Sequence, residues 1–369
     1  KREYSKGGVR RAARFVLRAV IRKIIESIRA MSESEKVLSD EEAYRNANFT
    51  KKCWDLSAKE NLHPFRKSQS KNPFGNTERH QSFLQSYQYS YRQDFVCEIE
   101  NIRLLGPNGV GVSKDKKVIA DSITMPGQYR MEASIQRAYD KYPLLAAETF
   151  RTTWRSSRRT LAHACSLFSG WSNYYHWTLE HLPKLRALRY YEEKTGVKVK
   201  IIIPANPSSF IIESLGILGI SPEKCIHWEP PAMDVKTLIL PAYPEANPTN
   251  LHWLRENARQ GINVDRHHDL PSRIYVSRDR ASKRRIRNEQ ELERTLSMFG
   301  FETVFAEELS VREQIRLFSN AEMIFGAHGA GLTNIVWADN AVVFEAHNNF
   351  VRDHYFVLAN NLGHKYIPI

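Results

Sequence analysis

From residue 160 onward, short apolar runs alternate with longer segments whose apolar residues recur every three or four positions. The runs are "TLAHACSLF" (160–168), "KVKIIIPA", "CIHWE", "TLILPAY", "RIYVSR" (273–278), "FETVFAEEL", "EMIFGAHG" and "AVVFEAH". Among them lie "YYHWTLEHLPKLRALRYYEEKTG" (174–196), "SSFIIESLGILGI", "NEQELERTLSMFG" (288–300), "SVREQIRLFSNA" (310–321) and "GLTNIVWA". The runs have the length and β-branched content of buried strands, and the longer segments have the period of amphipathic helices. Gly196 and Gly300 stand where two of these helices should close, and Ser310 where a third should begin. Strands that alternate with helices pair in parallel, because a parallel neighbour is reached only by a long crossover. The expected class is therefore α/β.

The alternation falls into two sets, parted by a polar stretch near residues 255–272. Two Rossmann-like halves facing a cleft are expected, an N-terminal half over 96–265 and a C-terminal half over 270–369. The segment "DFVCEIENIRLLGPNGVGVSKDKKVIADS" reads as short strands joined by Gly and Asn turns. Residues 32–95 are polar and aromatic with few aliphatics, which suits an irregular arm or linker. Asn48-Phe49-Thr50 matches a glycosylation triplet, a pattern common by chance.

Charge is concentrated at the start of the chain. The formal net charge is +13, and residues 1–31 carry ten basic side chains against Glu3 and Glu26. Val9, Val16, Leu17, Val20, Ile21, Ile24, Ile25 and Ile28 fall on one stripe of a helix there, with arginines opposite. Such a helix can lie in the headgroup layer of an anionic membrane, or pack against protein. Anionic partners are expected, phosphates and nucleotides ahead of nucleic acid. Cys53, Cys97, Cys165 and Cys225 form no CxxC pair, so neither a zinc site nor a disulfide framework is expected, and the usage fits a reducing compartment. No apolar run has the length of a membrane span and no signal peptide is visible. A cytoplasmic protein, peripheral on the inner face of the membrane through residues 9–31, is expected.

Two strand ends of the C-terminal half carry unusual chemistry. "GAHGAGLTN" (326–334) lies where a strand ends and a helix begins. Glycine lets a backbone approach a ligand closely, and the N–H groups of a helix start favour an anion. Gly326, His328, Gly329, Ala330, Gly331, Thr333 and Asn334 are thus candidate ligands of a diphosphate, although a purely structural turn would look similar. The spacing is GxxGxG, neither the dinucleotide fingerprint nor a Walker loop. A second strand, "RIYVSR", runs into "DRASKRRIRNE", which brings Arg278 and Arg284 to another strand end. Guanidinium forks match phosphate, whereas a solvated basic loop would serve only solubility. On the N-terminal half, His176 and Glu180 are one helical turn apart near the end of the strand at 160–168. A His of ordinary pKa suits proton transfer near neutral pH, with the carboxylate to orient or replace it. The alternative is that His176 and Trp177 only cap and pack the helix. No HExxH frame is present, so no metal site is expected.

The strings "NYYHWTLEHLPKL" (173–185), "YVSRDRASKRRIRNEQEL" (275–292), "FGAHGAGLTN" (325–334) and "VVFEAH" (342–347), in this order, resemble glycosyltransferase family 61. The resemblance covers roughly residues 100–369, and residues 1–95 match nothing in it. It implies a GT-B fold, an inverting mechanism and a nucleotide-sugar donor, usually UDP-linked, held by the C-terminal half. The acceptor would be a glycan or glycolipid. Within this frame Glu345 is expected to accept hydrogen bonds from ribose hydroxyls, and His328 to donate to a phosphate or the transferred sugar. No Asp-x-Asp triplet occurs, so cations and backbone N–H groups are expected to neutralise the leaving diphosphate without a metal or other cofactor. Two other classes remain open at this point: a membrane- or anionic-polymer-binding module on an α/β scaffold, and another nucleotide-using α/β enzyme that transfers phosphoryl or hydride.

Overall fold

The structure is a computed structural model. It describes residues 159–263, 270–347 and 352–369, nearly all of 91–123, residues 50–56, and positions 37, 38, 47, 134 and 135. The basic helix expected over 1–31 and most of the arm expected over 32–95 lie outside the described residues.

The α/β class is as expected, with one mixed and one parallel sheet. The first sheet is nine-stranded. It comprises β1 (Val37–Leu38), β2 (Thr50–Asp55), β3 (Phe95–Leu105), β4 (Val110–Val112), β5 (Val118–Ile119), β6 (Thr160–Ser166), β7 (Lys200–Ile203), β8 (Cys225–His227) and β9 (Ala232–Pro241). The order is β1-β5-β4-β3-β9-β6-β7-β8, with β2 beside the first part of β3. Strands β9, β6, β7 and β8 run parallel, and β3 joins β9 antiparallel. The second sheet is five-stranded and all parallel, in the order β11-β10-β12-β13-β14. Its strands are β10 (Arg273–Val276), β11 (Glu302–Val304), β12 (Met323–Ala327), β13 (Val342–Ala346) and β14 (Lys365–Pro368).

Both sheets reverse their winding direction once. From β6 the chain moves outward through β7 to β8, then returns to the other side of β6 as β9. From β10 it moves to β11, then returns to the other side of β10 as β12. Ligands of open parallel sheets bind outside the carboxyl ends of the strands at such reversals. The two reversals therefore mark two places, β6/β9 and β10/β12.

Seven helices matter for the site: α1 (Tyr174–His176), α2 (Lys184–Thr195), α3 (Ser209–Ile217), α4 (Pro248–Ile262), α5 (Glu289–Met298), α6 (Val311–Ser319) and, near the end of the chain, α7 (His354–Asn361). The single helix expected over 174–196 is interrupted by a π-helical turn at Trp177–His181. Pro183 explains it. A proline has no N–H to give the ladder, and its ring collides with the carbonyl four residues earlier. The ladder widens just before it, and Leu182 N donates to Trp177 O at 3.0 Å, five residues back. Such turns recur at functional sites. The segment 330–337, expected to open a helix, is 3-10 helical.

The two sheets share one apolar core. Ile201, Ile203, Leu251 and Leu254 of the first part lie in the same buried cluster as Ile324, Trp337 and Val343 of the second. The cysteine reading needs correction. Antiparallel pairing puts Cys53 of β2 opposite Cys97 of β3, and the two form a disulfide. Their separation of 44 residues conceals this, because strand register and not sequence distance decides which thiols meet. Disulfides persist in oxidising surroundings, so cysteine usage no longer argues for a reducing compartment.

His364 ties the last helix to the second sheet. Its Nδ1 accepts from Ala341 N at 3.1 Å, and its Nε2 lies 2.9 Å from Ile335 O, which it serves as donor. The first contact requires the neutral ring, since a protonated Nδ1 could not accept. Burial pushes the imidazole down from 6.5 to about 4. The unfolded chain therefore takes up this proton near pH 6.5 and the folded chain only near pH 4, so stability falls as pH drops through that window. We expect His364 alone to cost about 3 kcal/mol between pH 7 and pH 4. Urea unfolding at pH 7, 5 and 4 should show a flatter dependence for His364→Gln than for the parent, and equal slopes would contradict the assignment.

Candidate active site

Strand β10 is buried from Ile274 to Val276, and its chain then turns polar with Ser277 and Arg278. Strand β12 does the same beside it and enters the glycine turn at Ala327. These are the two strand ends at the second winding reversal. Arg278 lies across the turn. A β-carbon on Gly329 would stand 1.9 Å from Arg278 Nη1 and 2.6 Å from its Cζ. One on Gly331 would stand 2.8 Å from Val276 Cγ1. Glycine is needed at both for this close approach, although Gly329 itself has an ordinary extended backbone.

Arg278 Nη2 donates to Lys283 O at 3.0 Å, while its buried Nε has no hydrogen-bond partner among the described residues. Burial pushes the guanidinium down, and Arg284 nearby adds to this by repulsion. Arg284 is exposed and holds φ at +58°, a conformation that costs a non-glycine residue. Two cations close together and an unfilled buried donor are the surroundings an anion relieves.

The other turn residues divide by partner. His328 Nδ1 lies 2.5 Å from Glu345 Oε1. Glu345 is 0 % exposed, and its second oxygen accepts from Tyr366 Oη at 2.6 Å. His347 Nε2 lies 2.9 Å from that same phenol oxygen. Burial and Glu345 push the Tyr366 phenol far up, which keeps it a donor. His328, Glu345 and His347 have ligand atoms within 4.8 Å of one another, a spacing a cation could use, while His328 Nδ1, His347 Nε2 and both Glu345 oxygens already take part in hydrogen bonds. Asn334 is buried and bonds to protein on every side, to Tyr174, Trp337, Gln314 and Gly331 O. Thr333 is buried, Ala330 is half-buried, and Gly326 closes against Leu332 and Val276.

The first winding reversal carries His176 and Glu180. The Asn173 side chain caps α1 by accepting from His176 N at 3.1 Å. One turn on, Glu180 Oε2 lies 2.8 Å from His176 Nδ1 and accepts from Tyr243 Oη at 2.8 Å. Tyr243 follows β9, so the pair sits where β6 and β9 end. His176 is also flanked by Trp171 and Tyr175, with ring centroids at 5.0 and 5.2 Å. Lys184 lies three residues after the π turn and is buried, with its Nζ 4.7 Å from the centre of the Tyr243 ring. Burial pushes its ammonium down. His181 lies beside it, also driven well down by burial and then by Lys184.

The two strand-end sites face each other through α7. Tyr175, beside His176, packs on His354 at 5.5 Å and on Tyr355 at 5.8 Å. The same two residues pack on His328 at 6.1 and 5.2 Å. Tyr355 Oη donates to Gly329 O at 2.6 Å, which pins the glycine turn. His354 is driven down by burial, and both His328 and His176 add to this, so one imidazole feels both sites. His354, Tyr355, Tyr243 and Lys184 escaped the sequence reading. Only Lys184 carried a signal, at eight residues from His176 on one helix face.

Two parallel-sheet reversals turned toward each other, one with a carboxylate-oriented imidazole and the other with a guanidinium over a glycine turn, define a two-site α/β protein. A sequence model of the family Glycosyltransferase 61 matches residues 174–344, and over that stretch the chain is similar to this glycosyltransferase family. The matched stretch runs from the first residue of α1 to β13 and so contains His176, Glu180, Arg278 and the glycine turn. No curated protein matches the chain.

The contact of Arg278 with Gly329 can be measured by stability alone. Gly329→Ala should displace Arg278 and break its bond to Lys283 O, at a cost of roughly 1 kcal/mol. In Arg278→Ala the same substitution should cost much less, so a double-mutant cycle should show coupling of at least about 0.5 kcal/mol. Additive effects would mean that the two residues do not touch.

Proposed function

We propose that the protein is an inverting glycosyltransferase of GT-B type that moves a sugar from a nucleotide-sugar, UDP-linked as the resemblance implies, to a hydroxyl of a glycan or glycolipid. The observation that carries the reading is the facing of the two strand-end sites, with His176 on one and Arg278 over Gly329 on the other. The acceptor oxygen attacks the anomeric carbon, and its proton passes to His176 Nε2. Glu180 accepts from Nδ1–H and holds the ring in the tautomer that leaves Nε2 free as base. The bond from the anomeric carbon to the diphosphate breaks, and its electron pair leaves with the nucleoside diphosphate. Arg278, Arg284 and N–H groups of the 326–334 turn neutralise that charge without a metal. His328, held by Glu345, donates to the donor's sugar or phosphate. The basic stripe of residues 9–31, outside the described residues, would hold the enzyme on an anionic membrane beside a polysaccharide or glycolipid acceptor.

Titration calorimetry with UDP tests the donor side. Arg278→Ala should weaken binding by roughly 1.5–3 kcal/mol, the range for a hydrogen bond to a charged group. A transfer assay tests the chemistry. His176→Ala should lose about 10²–10⁴-fold in rate and keep donor affinity. Activity should survive a chelator. Unchanged UDP affinity in Arg278→Ala would remove that residue from the site, near-normal turnover in His176→Ala would move the base elsewhere, and loss of activity on chelation would return attention to the His328, Glu345 and His347 cluster.

A further inference from the structure

One buried carboxylate oxygen beside the Arg278 site lacks a partner. Glu289, the first residue of α5, is more than nine-tenths buried. Its Oε1 accepts from Tyr275 Oη at 2.7 Å, Ser277 Oγ at 2.5 Å and Arg278 N at 3.2 Å. Its Oε2 accepts from nothing among the described residues. Buried carboxylate oxygens are almost always hydrogen-bonded, and an unfilled one implies a donor that arrives from outside. The saturated oxygen fixes the side chain, so the free one has a set position.

Glu289 also lines a hollow of about 590 Å³, within the range of small-molecule sites. The hollow lies between the segment after β10 and the residue after β11. Arg285 and Asn288 contribute from the first and Phe305 from the second, with Gln290 of α5 beside them. Phe305 has one ring face covered by the Arg280 guanidinium, at 4.1 Å from the ring centre.

Position along the sheet then decides what the hollow can hold. The strand ends run in the order β11, β10, β12, β13. The proposed diphosphate site occupies the β10/β12 notch, and the hollow occupies the β11/β10 notch next to it, about one strand spacing of 4.8 Å away. On the opposite side, His328 and His354 lead toward the first sheet and His176. Toward β13, the Glu345, Tyr366 and His347 side chains are bonded to one another and to His328. A nucleotide-sugar whose diphosphate sits at β10/β12 and whose sugar points to His176 has its nucleoside directed to β11/β10. The geometry points to the Glu289 hollow as the nucleoside subsite of the donor, with Glu289 Oε2 accepting from the ribose hydroxyls and the base lying on the open face of Phe305. This rests on the reading of the Arg278 cleft as the diphosphate site. It also gives the ribose a carboxylate other than Glu345, whose oxygens are occupied.

The test compares ligands that share the diphosphate and differ in the nucleoside: UDP, 2′,3′-dideoxy-UDP and inorganic diphosphate, titrated calorimetrically into the full chain. Glu289→Gln keeps the shape and the Oε1 acceptor and replaces the free oxygen with a donor. The parent should bind UDP at least tenfold more tightly than the dideoxy analogue. In Glu289→Gln that preference should shrink to a few-fold or vanish, while affinity for inorganic diphosphate stays within about twofold. Phe305→Ala should likewise weaken UDP and spare inorganic diphosphate, and it serves alone if thermal unfolding shows Glu289→Gln to be misfolded. The subsite is overturned if UDP and its dideoxy analogue bind the parent equally, or if Glu289→Gln weakens UDP and inorganic diphosphate alike. In either case an effect of Arg278→Ala on inorganic diphosphate would leave the phosphate site standing. If neither UDP nor inorganic diphosphate binds the parent, the donor reading itself fails and the subsite with it.

Discussion

Where the two sheets meet, the Asn334 side-chain oxygen accepts from Tyr174 Oη at 2.9 Å and from Trp337 Nε1 at 3.0 Å, while its amide donates to Gln314 at 2.7 Å. Tyr174 belongs to the first part of the chain and the other three to the second. The site on each side hangs from this junction. Tyr174 is two residues before His176 on α1, and Asn334 closes the segment that opens with the glycine turn. Other bonds hold the same seam. Glu213 of α3 accepts from Val311 N and Arg312 N at 2.8 and 2.9 Å, which satisfies two free amides at the start of α6. Arg255 and Arg259 of α4 pair with Asp339 and donate to Ala338 O and Trp337 O. Loss of one partner would leave buried polar groups unfilled, a cost of about 1–3 kcal/mol each. Because these bonds lie over a shared apolar core, packing sets the separation of the two strand-end sites.

The seam also shows what a sequence reading can and cannot recover. The alternation of strands and helices after residue 160 was legible, because each element's period is local and each crossover is long enough to require parallel pairing. The glycine turn and Arg278 were legible as strand-end features for the same reason. The short strands of 94–122 were legible too, but β2 within the expected arm, its antiparallel pairing with β3 and the Cys53–Cys97 bond were not, since they depend on a pairing register between distant segments. Asn334 and Glu345 illustrate a second limit. A polar residue in a glycine-rich turn or at a strand end can face a ligand or brace the protein, and its letter is the same. Here both side chains are 0 % exposed and engaged by protein. Glu289 is the converse. In the sequence it is one acid in a charged stretch, and only burial together with an unfilled oxygen sets it apart.

The two carboxylate–imidazole pairs invite comparison, since they share a contact and differ in surroundings. In each, Nδ1 faces a carboxylate, at 2.8 Å for His176 with Glu180 and 2.5 Å for His328 with Glu345. An ionised carboxylate only accepts, so Nδ1 carries a proton in both and Nε2 is the variable position. The side chains of the first pair keep 21 % and 17 % of their exposure, against 9 % and 0 % for the second. A base must take a proton from one molecule and release it to another in every turnover, which requires a path to solvent or exchangeable groups. The His176 pair has one, and its carboxylate is steadied by a single phenol, Tyr243. The His328 pair is enclosed by Tyr355, Tyr366 and His347, and its ring is fixed in place. Enclosure suits a group that presents an unchanging hydrogen bond beside the glycine turn, where a change of charge would perturb the neighbouring arginine. On this argument the proposed division, proton transfer at the first sheet and ligand orientation at the second, rests on the difference in burial more than on any difference in residue type.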